Sequence, residues 1–255
     1  MIKVLQIGFG PLGIIVTKYI AKKYKIKTVA VVDKKNSLKG KSLHELSNEL
    51  PAEKFVYNSV EDALNTLSLK PDVAIITTVS SLEKLIPQIK EVAKFGIPVV
   101  STCEELSYPW ALQPELSKQL DNICKKYNIA CLGTGVNPGF LMDYLPSVMS
   151  SVCKDIDHIS VERVQDASQR RIPFQQKIGA GLDLNTFKAK ELEGVLRHVG
   201  LKESVYLLAN SIGLSLDNVT ESLDPVIAEK DVSTAAIKVK KGDARGVEQI
   251  AHGYV

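Results

Sequence analysis

The sequence predicts an α/β protein in which an N-terminal doubly wound domain precedes a second, α+β domain that contains an antiparallel sheet. In the first half, short runs that are apolar on both faces alternate with amphipathic stretches, which indicates a parallel sheet covered by helices. The composition changes near residue 145, and the chain ends in two strand-like runs around a polar turn. We therefore expect one domain over 1–145 and a second over 146–255.

Six strands and four helices are predicted in the first domain. The strands, rich in Val and Ile, occupy 2–7, 27–32, 54–57, 72–77, 97–102 and 129–133. Between them, helical spacing of apolar residues predicts helices near 12–23, 59–67, 81–95 and 112–127. Strands that alternate with helices in this way are typical of a parallel sheet.

The second domain is predicted to be mixed. The segment HISVERV (158–164) alternates as a strand does, and helices are expected near 185–198 and 203–212. The last residues predict two strands around the turn KKGDARG (240–246), an antiparallel hairpin. Because the apolar residues 251–255 stop in mid-strand, we expect either a longer natural protein, of which this chain is a truncated part, or an interface that completes the sheet, as in a homodimer.

Composition excludes several classes of function. Of the 255 residues, 45% are hydrophobic and 24% are charged, and the net charge is only +3. The basic residues are interspersed with acidic ones, so no clustered face for nucleic acid is expected. No apolar run approaches the roughly 20 residues that span a bilayer, and the first residues enter a strand with no room for a signal peptide. We expect a cytoplasmic protein with neither nucleic acid nor membrane as partner.

Metal binding is also not expected. The four cysteines form no CxxC pair, and the four histidines lie far apart in the sequence. Structural zinc sites need closely spaced ligands of these types. Free thiols in a reducing compartment are the ordinary interpretation of such cysteines.

A glycine-rich segment, GFGPLG, follows the first strand and opens the first helix. In this position GxGxxG is the fingerprint of a Rossmann dinucleotide-binding domain. Gly8 permits the tight turn, Gly10 lets the backbone approach a pyrophosphate, and Gly13 lets helix and strand pack closely. The predicted cofactor contacts of this loop are Gly8, Phe9, Gly10, Pro11, Leu12 and Gly13.

Asp33 ends the second strand, twenty positions beyond Gly13. There a carboxylate accepts the ribose hydroxyls of an adenosine, although a surface aspartate is the alternative. Its charge would repel a 2′-phosphate and so favours NAD, whereas Lys34 and Lys35 could neutralise that phosphate. The expected cofactor is NAD or NADP.

Polar residues follow two further strands, where ligands lie in such sheets. Thr78 and Ser80 come after the fourth strand and are predicted to contact the cofactor; the alternative is capping of the helix that begins near Leu82. Asn137, in GTGVNPGF (133–140), could reach the nicotinamide carboxamide. Asn-Pro-Gly is equally a strong turn signal.

Two acids follow the fifth strand in VVSTCEELSYPW (99–110). Glu104 and Glu105 are either candidates for a general base or charges that favour a helix N-terminus. From the pattern alone the two interpretations are equal. Cys103 beside them is not expected to act as a nucleophile, since no histidine partner lies in a matching segment.

The order of these motifs, with VERVQDASQRRIPFQQKIGAG (161–181) after them, resembles the dihydrodipicolinate reductase-like superfamily. Within it, the chain is most similar to the branch of 2,4-diaminopentanoate dehydrogenase and related amine dehydrogenases. This resemblance implies NAD(P)-dependent oxidative deamination, with hydride transfer to the nicotinamide and hydrolysis of the imine to a ketone and ammonia. By position, Glu104 is the acid that handles the amine, and Glu105 is the fallback. The branch is typically longer than this chain.

One departure from the motifs of this superfamily narrows the range of expected substrates. Dihydrodipicolinate reductases carry an HHRxK stretch, whereas 162–181 here contains no histidine. The proton donor of that family is therefore missing, which argues against dihydrodipicolinate. Reduction of a related cyclic imine and a non-catalytic dinucleotide sensor remain the alternatives.

The polar segment that opens the second domain supplies the remaining candidates. A paired arginine can grip a substrate carboxylate bidentately, so Arg170 and Arg171 are predicted substrate contacts. Lys177 is a predicted catalytic residue together with Glu104, and Gly179 is expected to allow a substrate close approach. A basic solvated loop is the alternative.

Overall fold

A computed structural model describes the chain at residues 1–170, 172–196, 198–234 and 237–255. The chain divides into two units, Met1–Phe140 and Leu141–Val255. No helix within these described ranges is both long and apolar enough to cross a bilayer.

The first unit contains a six-stranded sheet in the order β3-β2-β1-β4-β5-β6, and every neighbouring pair is parallel. This is the order of a doubly wound Rossmann sheet, and it confirms the fold class expected from the sequence. The strands are β1 Ile2–Ile7, β2 Ile26–Val32, β3 Val56–Tyr57, β4 Val73–Ile76, β5 Val99–Ser101 and β6 Cys131–Gly133.

Helices connect these strands. They are α1 Pro11–Ala21, α2 Leu43–Leu46, α3 Val60–Thr66, α4 Leu82–Ala93, α5 Pro109–Leu112 and α6 Pro114–Tyr127. Helix α4 shows why the sheet is covered: Leu82, Leu85, Ile86 and Ile89 recur at helical spacing and are all buried. They join the strand residues in one apolar core.

The helix expected over 112–127 corresponds to α6, which begins at Pro114, and a separate short helix, α5, ends just before it. Gln113 between α5 and α6 has φ −137° and ψ 58°, outside the helical region. The ring of Pro114 disfavours a helical conformation in the residue before it, so the helix is interrupted there. The sequence pattern of apolar residues did not register this break.

The second unit is mixed, as expected. Its helices are α7 Tyr144–Ser150, α8 Ile172–Lys177, α9 Leu184–Leu192 and α10 Leu201–Ser211, and its strands are β7 Asn218–Ile227, β8 Val232–Ser233, β9 Lys238–Val239 and β10 Ala244–Tyr254. Helix α9 is shorter than predicted because Gly194, with φ +70°, ends it in the left-handed conformation that glycine favours. The apolar core of the second unit is centred on Phe187, Leu196 and Ala244.

The predicted strand over 158–164 is wrong. These residues form neither helix nor strand, and Val164 is 96% exposed. No strand in the described part of the chain pairs with them. Since a strand exists only through its hydrogen bonds to a neighbour, alternation of apolar and polar residues was not sufficient.

The predicted C-terminal hairpin is also wrong in its pairing. Strand β10 pairs antiparallel with β7 and not with the run before the turn. That run forms the short β9, which pairs with β8. Strand β7 was not predicted because Pro225 lies inside it, opposite Val247. Proline has no N–H to donate, but it is tolerated in a strand that has a neighbour on one side only, as β7 has in its two-stranded sheet.

Candidate active site

The glycine loop joins β1 to α1 in a conformation that only glycine allows. Gly8 has φ +86°, and a Cβ atom there would lie 2.7 Å from Cγ2 of Thr78. A Cβ atom on Gly13 would strike the carbonyl oxygen of Gly8. Pro11 is the first residue of α1, and Gly10 before it has no capping side chain, so the first N–H groups of the helix are available to an anion. The loop therefore fits the pyrophosphate of a dinucleotide.

Asp33 lies at the carboxyl end of β2 and is bonded to this loop. Its Oδ2 accepts the backbone N–H of Phe9 at 2.7 Å, and its Oδ1 accepts that of Lys35 at 2.8 Å. Each carboxylate oxygen has a second lone pair, so both remain able to accept a ribose hydroxyl. The bond from Phe9 was not foreseen from the sequence, because nothing in the pattern links residues this far apart.

The other members of the predicted loop set have separate roles. The side chain of Phe9 is 3% exposed and packs in an apolar cluster with Val31 and Leu43, so only its backbone serves the loop. Pro11 and Leu12 are exposed in the first turn of α1. Pro11 has no backbone N–H, so of these two residues only Leu12 has an N–H in the first turn of the helix.

A cleft of about 240 Å³ opens at the carboxyl ends of β1 and β2. Gly8, Asp33 and Thr78 line it together, with Lys34 and Gln88 beside them. The hydroxyl of Thr78 donates to Oε1 of Gln88 at 2.8 Å, which holds α4 against this edge. The structure thus brings three predicted cofactor residues into one cavity. Ser80 does not line the cleft; its carbonyl accepts the N–H of Glu105 at 3.3 Å.

Glu105 caps helix α4 from a neighbouring loop. Its Oε2 accepts the N–H of Leu82 at 2.7 Å and the side-chain amide of Gln113 at 2.8 Å. The residue directly before α4, Ser81, makes no such bond with its side chain, so the cap of this helix comes from Glu105. A carboxylate stabilises the N-terminus of a helix, so Glu105 has a structural role.

Glu104 lies beside it, in a 3₁₀ turn directly after β5. Its side chain is half-buried and makes no hydrogen bond or ion pair with any other described residue. Strands β1, β4 and β5 are parallel neighbours in this order, so their carboxyl ends lie at the same end of the sheet. Of the two acids, Glu104 is therefore the one whose carboxylate is not engaged by another described residue, and its action on a ligand stays a prediction.

Cys103 precedes these acids and is 1% exposed. Burial raises the pKa of its thiol to about 12, and the two neighbouring glutamates add to the shift. At neutral pH the sulfur is protonated, and a thiol is a weak nucleophile. The geometry therefore provides no activated cysteine at this position.

Asn137 lies in a tight turn after β6. The bond between Asn137 and Pro138 is cis, and a Cβ atom on Gly135 would lie 2.5 Å from the carbonyl oxygen of Pro138. The N–H of Thr134 donates to the carbonyl of Ser101 at 2.9 Å, which fixes the start of the turn beside β5. The segment folds back on itself, so the turn interpretation has direct support. A contact of Asn137 with the cofactor stays a prediction.

In the second unit, Arg170 is exposed, and its guanidinium lies 4.8 Å from the ring centre of Phe174. Gln175 is buried and donates to the carbonyl oxygens of Ser168 and Arg170, at 3.2 and 2.7 Å. The loop that carries Arg170 is thus held from within its own unit. Arg171 lies outside the described residues.

Lys177 is exposed at the end of α8. Gly179 follows with φ +73°, and a Cβ atom there would lie 2.6 Å from the ring of Phe187. The close approach of this aromatic ring explains why a residue without a side chain is needed at position 179. A contact of Gly179 with a substrate stays a prediction.

Comparisons with known proteins found similar sequences and a similar fold. A family model, the 2,4-diaminopentanoate dehydrogenase C-terminal domain, matches residues 140–255. The 2,4-diaminopentanoate dehydrogenase of Acetoanaerobium sticklandii is 31% identical over 258 residues, which cover all of this chain and 72% of that protein. The amine dehydrogenase of Mycobacterium smegmatis superposes with a TM-score of 0.79 at 20% identity, over 99% of this chain and 74% of its own. That structural likeness concerns the fold.

Proposed function

The chain belongs to the 2,4-diaminopentanoate dehydrogenase family, and on this premise we propose that it catalyses NAD(P)-dependent oxidative deamination of a 2,4-diaminopentanoate-type amine or amino acid. The carbon that bears the amine loses a hydride, and water converts the resulting iminium to a ketone and ammonia. The observation that carries this proposal is the carboxylate of Glu104, which bonds to no other described residue and follows β5 at the same end of the sheet as the glycine loop.

We propose that the residues of the first unit hold the dinucleotide. The N–H groups of the loop that begins at Gly8 bind its pyrophosphate, and Asp33 binds the adenosine ribose. The absent side chains of Gly8 and Gly13 and the cleft beside Asp33 support this fit. When bound, the nicotinamide supplies a hydride acceptor.

The same cleft bears on the choice between NAD and NADP. Asp33 places a negative charge where a 2′-phosphate would lie, which favours NAD. Lys34 lines the cleft and Lys35 is exposed next to it, so an ammonium is available to offset that repulsion. We propose that the protein accepts both dinucleotides and prefers NAD.

Glu104 is proposed as the base. A hydride leaves only from a neutral amine, whereas a free alkylammonium is almost fully protonated at neutral pH. A carboxylate within hydrogen-bond reach takes that proton, orients the nitrogen and stabilises the positive charge of the iminium. The same group can then activate the water that attacks the iminium carbon. Glu105 is not available for these steps, because both of its side-chain partners are structural.

For the second unit we propose that Arg170 binds a carboxylate of the substrate. Its guanidinium is exposed, and the ring of Phe174 supports it. A planar guanidinium binds a carboxylate through two parallel hydrogen bonds. Lys177 is a second proposed catalytic residue, and Gly179 a proposed substrate contact. We further propose that the protein acts as a homodimer in the cytoplasm.

A substrate panel tests the proposed function. Purified protein receives NAD⁺ or NADP⁺ with 2,4-diaminopentanoate, ornithine, simple alkylamines or alanine, and the absorbance of the reduced cofactor is followed. We expect turnover with 2,4-diaminopentanoate and little with alkylamines that lack a carboxylate. Reduction of dihydrodipicolinate with NADH or NADPH would instead indicate a cyclic-imine reductase. Tight dinucleotide binding with no turnover in any reaction would indicate a sensor.

A further inference from the structure

The peptide group between Gly8 and Phe9 is held at both of its ends. Its N–H, on Phe9, donates to Asp33 at 2.7 Å. Its carbonyl, on Gly8, accepts the side-chain amide of Gln6 at 3.0 Å and the hydroxyl of Thr77 at 3.1 Å. Three side chains therefore fix the orientation of one peptide in the glycine loop: Gln6 in β1, Asp33 after β2 and Thr77 after β4.

Gln6 is an unusual residue for its position. It is 0% exposed near the carboxyl end of β1, between the apolar residues Leu5 and Ile7. Its amide nitrogen lies near the carbonyl oxygens of Ile7 and Gly8 and within 2.9 Å of the hydroxyl of Thr77. Carbonyl oxygens only accept hydrogen bonds, so the nitrogen of the amide must face them. The hydroxyl of Thr77 can accept from Gln6 and donate to Gly8 at the same time.

This orientation leaves the amide oxygen of Gln6 buried without a partner among the described residues. The cost of this unpaired buried carbonyl offsets the hydrogen bonds that the nitrogen of the same amide donates, and an apolar side chain of similar shape would have neither. Stability alone therefore does not explain a glutamine here. Unsatisfied polar atoms of this kind are rare in folded proteins and need a specific reason.

We propose that Gln6 and Thr77 are positioning residues for dinucleotide binding. By fixing the carbonyl of Gly8, they orient the loop so that its following N–H groups are available to a pyrophosphate. This proposal rests on the coenzyme named in the proposed function, and it is independent of the amine that is oxidised. Neither residue touches the coenzyme in this role; both act through the Gly8–Phe9 peptide.

Binding of ADP-ribose, which carries the pyrophosphate but no nicotinamide, tests the proposal by calorimetry. Loss of one neutral hydrogen bond predicts about three- to tenfold weaker binding in Thr77→Val. Thr77→Ser keeps the hydroxyl and should bind as the unchanged protein does. Thr28→Val is the matched control, since the hydroxyl of Thr28 is also buried but lies in β2 near the amino end of the sheet, paired with Val4. Its affinity should not change.

Gln6→Met separates a positioning role from a merely structural one. Gln6→Met removes the unpaired carbonyl together with the amide donor, but the carbonyl of Gly8 keeps the hydroxyl of Thr77 and that of Ile7 keeps the N–H of Thr77. The thermal midpoint without ligand should therefore stay close to that of the unchanged protein, while ADP-ribose binds more weakly. Unchanged affinity in both Gln6→Met and Thr77→Val would overturn the proposal, as would a loss in Thr77→Val that Thr77→Ser does not restore. If Gln6→Met fails to fold, the threonine pair decides alone. If the unchanged protein itself does not bind ADP-ribose, the proposed coenzyme is wrong and this proposal with it.

Discussion

The carboxylate of Glu105 accepts the backbone N–H of Leu82 at 2.7 Å, across 23 residues of sequence. This bond ties the turn after β5 to the first residue of α4 and gives the two adjacent acids different roles. Glu105 is used by the fold, whereas the side chain of Glu104 beside it bonds to no other residue that the structure describes.

The first prediction concerns Glu105. Glu105→Ala leaves the buried N–H of Leu82 without an acceptor, so the free energy of unfolding should fall by about 1–3 kcal/mol. Glu105→Gln keeps an acceptor oxygen and should lose less. Urea unfolding of the full chain measures both variants. An alanine variant as stable as the unchanged protein would contradict the capping role.

The second prediction separates two glycines of the loop. A Cβ atom on Gly13 would strike the carbonyl of Gly8, whereas one on Gly10 meets nothing within 4 Å. We expect Gly13→Ala to lower the free energy of unfolding by about 1–3 kcal/mol, the usual effect of overpacking. Gly10→Ala should leave stability unchanged and still weaken NADH binding, because the added methyl lies where a pyrophosphate would approach.

Thermal unfolding and NADH fluorescence titration check this pair. Equal NADH affinity in Gly10→Ala and the unchanged protein would mean that the loop does not bind the pyrophosphate. Equal stability in Gly13→Ala would mean that the backbone of the loop can move away from α1.

The third prediction concerns the choice of dinucleotide. If Lys34 offsets the charge of a 2′-phosphate, Lys34→Ala should weaken NADP⁺ binding about three- to tenfold and leave NAD⁺ binding unchanged. Lys27→Ala, which removes an exposed lysine at the other end of β2, is the control. Calorimetric titration with both dinucleotides gives the ratio. A parallel loss of affinity for NAD⁺ and NADP⁺ would exclude a contact with the 2′-phosphate.

The fourth prediction concerns thiol reactivity. Since burial raises the pKa of Cys103 to about 12, almost none of this thiol is ionised at pH 8, and iodoacetamide should not modify it in the native protein. Cys153 is exposed and should react. Peptide mass spectrometry before and after unfolding distinguishes the two sites. Modification of Cys103 at the rate of Cys153 would contradict its burial.

The sheet and the glycine loop could be predicted because their signals are local. The runs at 2–7 and 72–77 are mostly apolar, and the motif GFGPLG consists of adjacent residues. The predictions that were wrong concern features that depend on residues far apart in the sequence. Whether 158–164 forms a strand depended on a pairing partner that its own residues do not specify, and Pro225 concealed β7, whose partner is β10.

The same distinction applies to the candidate site. The positions of Asp33 and Glu104 follow from their place at the ends of strands, which sequence pattern can locate. The partners of these residues cannot be located in that way. The bonds from Phe9 to Asp33 and from Leu82 to Glu105 join segments more than twenty residues apart. Among the residues that bond the Gly8–Phe9 peptide, only Gln6 gave a local signal in the sequence, because it is a polar residue within a mostly apolar strand.

The most direct measurement compares turnover of 2,4-diaminopentanoate by Glu104→Gln and Glu105→Gln, with NADH affinity determined for each. Loss of a general base predicts that kcat/KM of Glu104→Gln falls at least roughly a hundredfold while NADH binds as before. Glu105→Gln should stay within about tenfold of the unchanged protein, since its role is structural. Undiminished turnover by Glu104→Gln with the coenzyme bound would show that Glu104 is not the base.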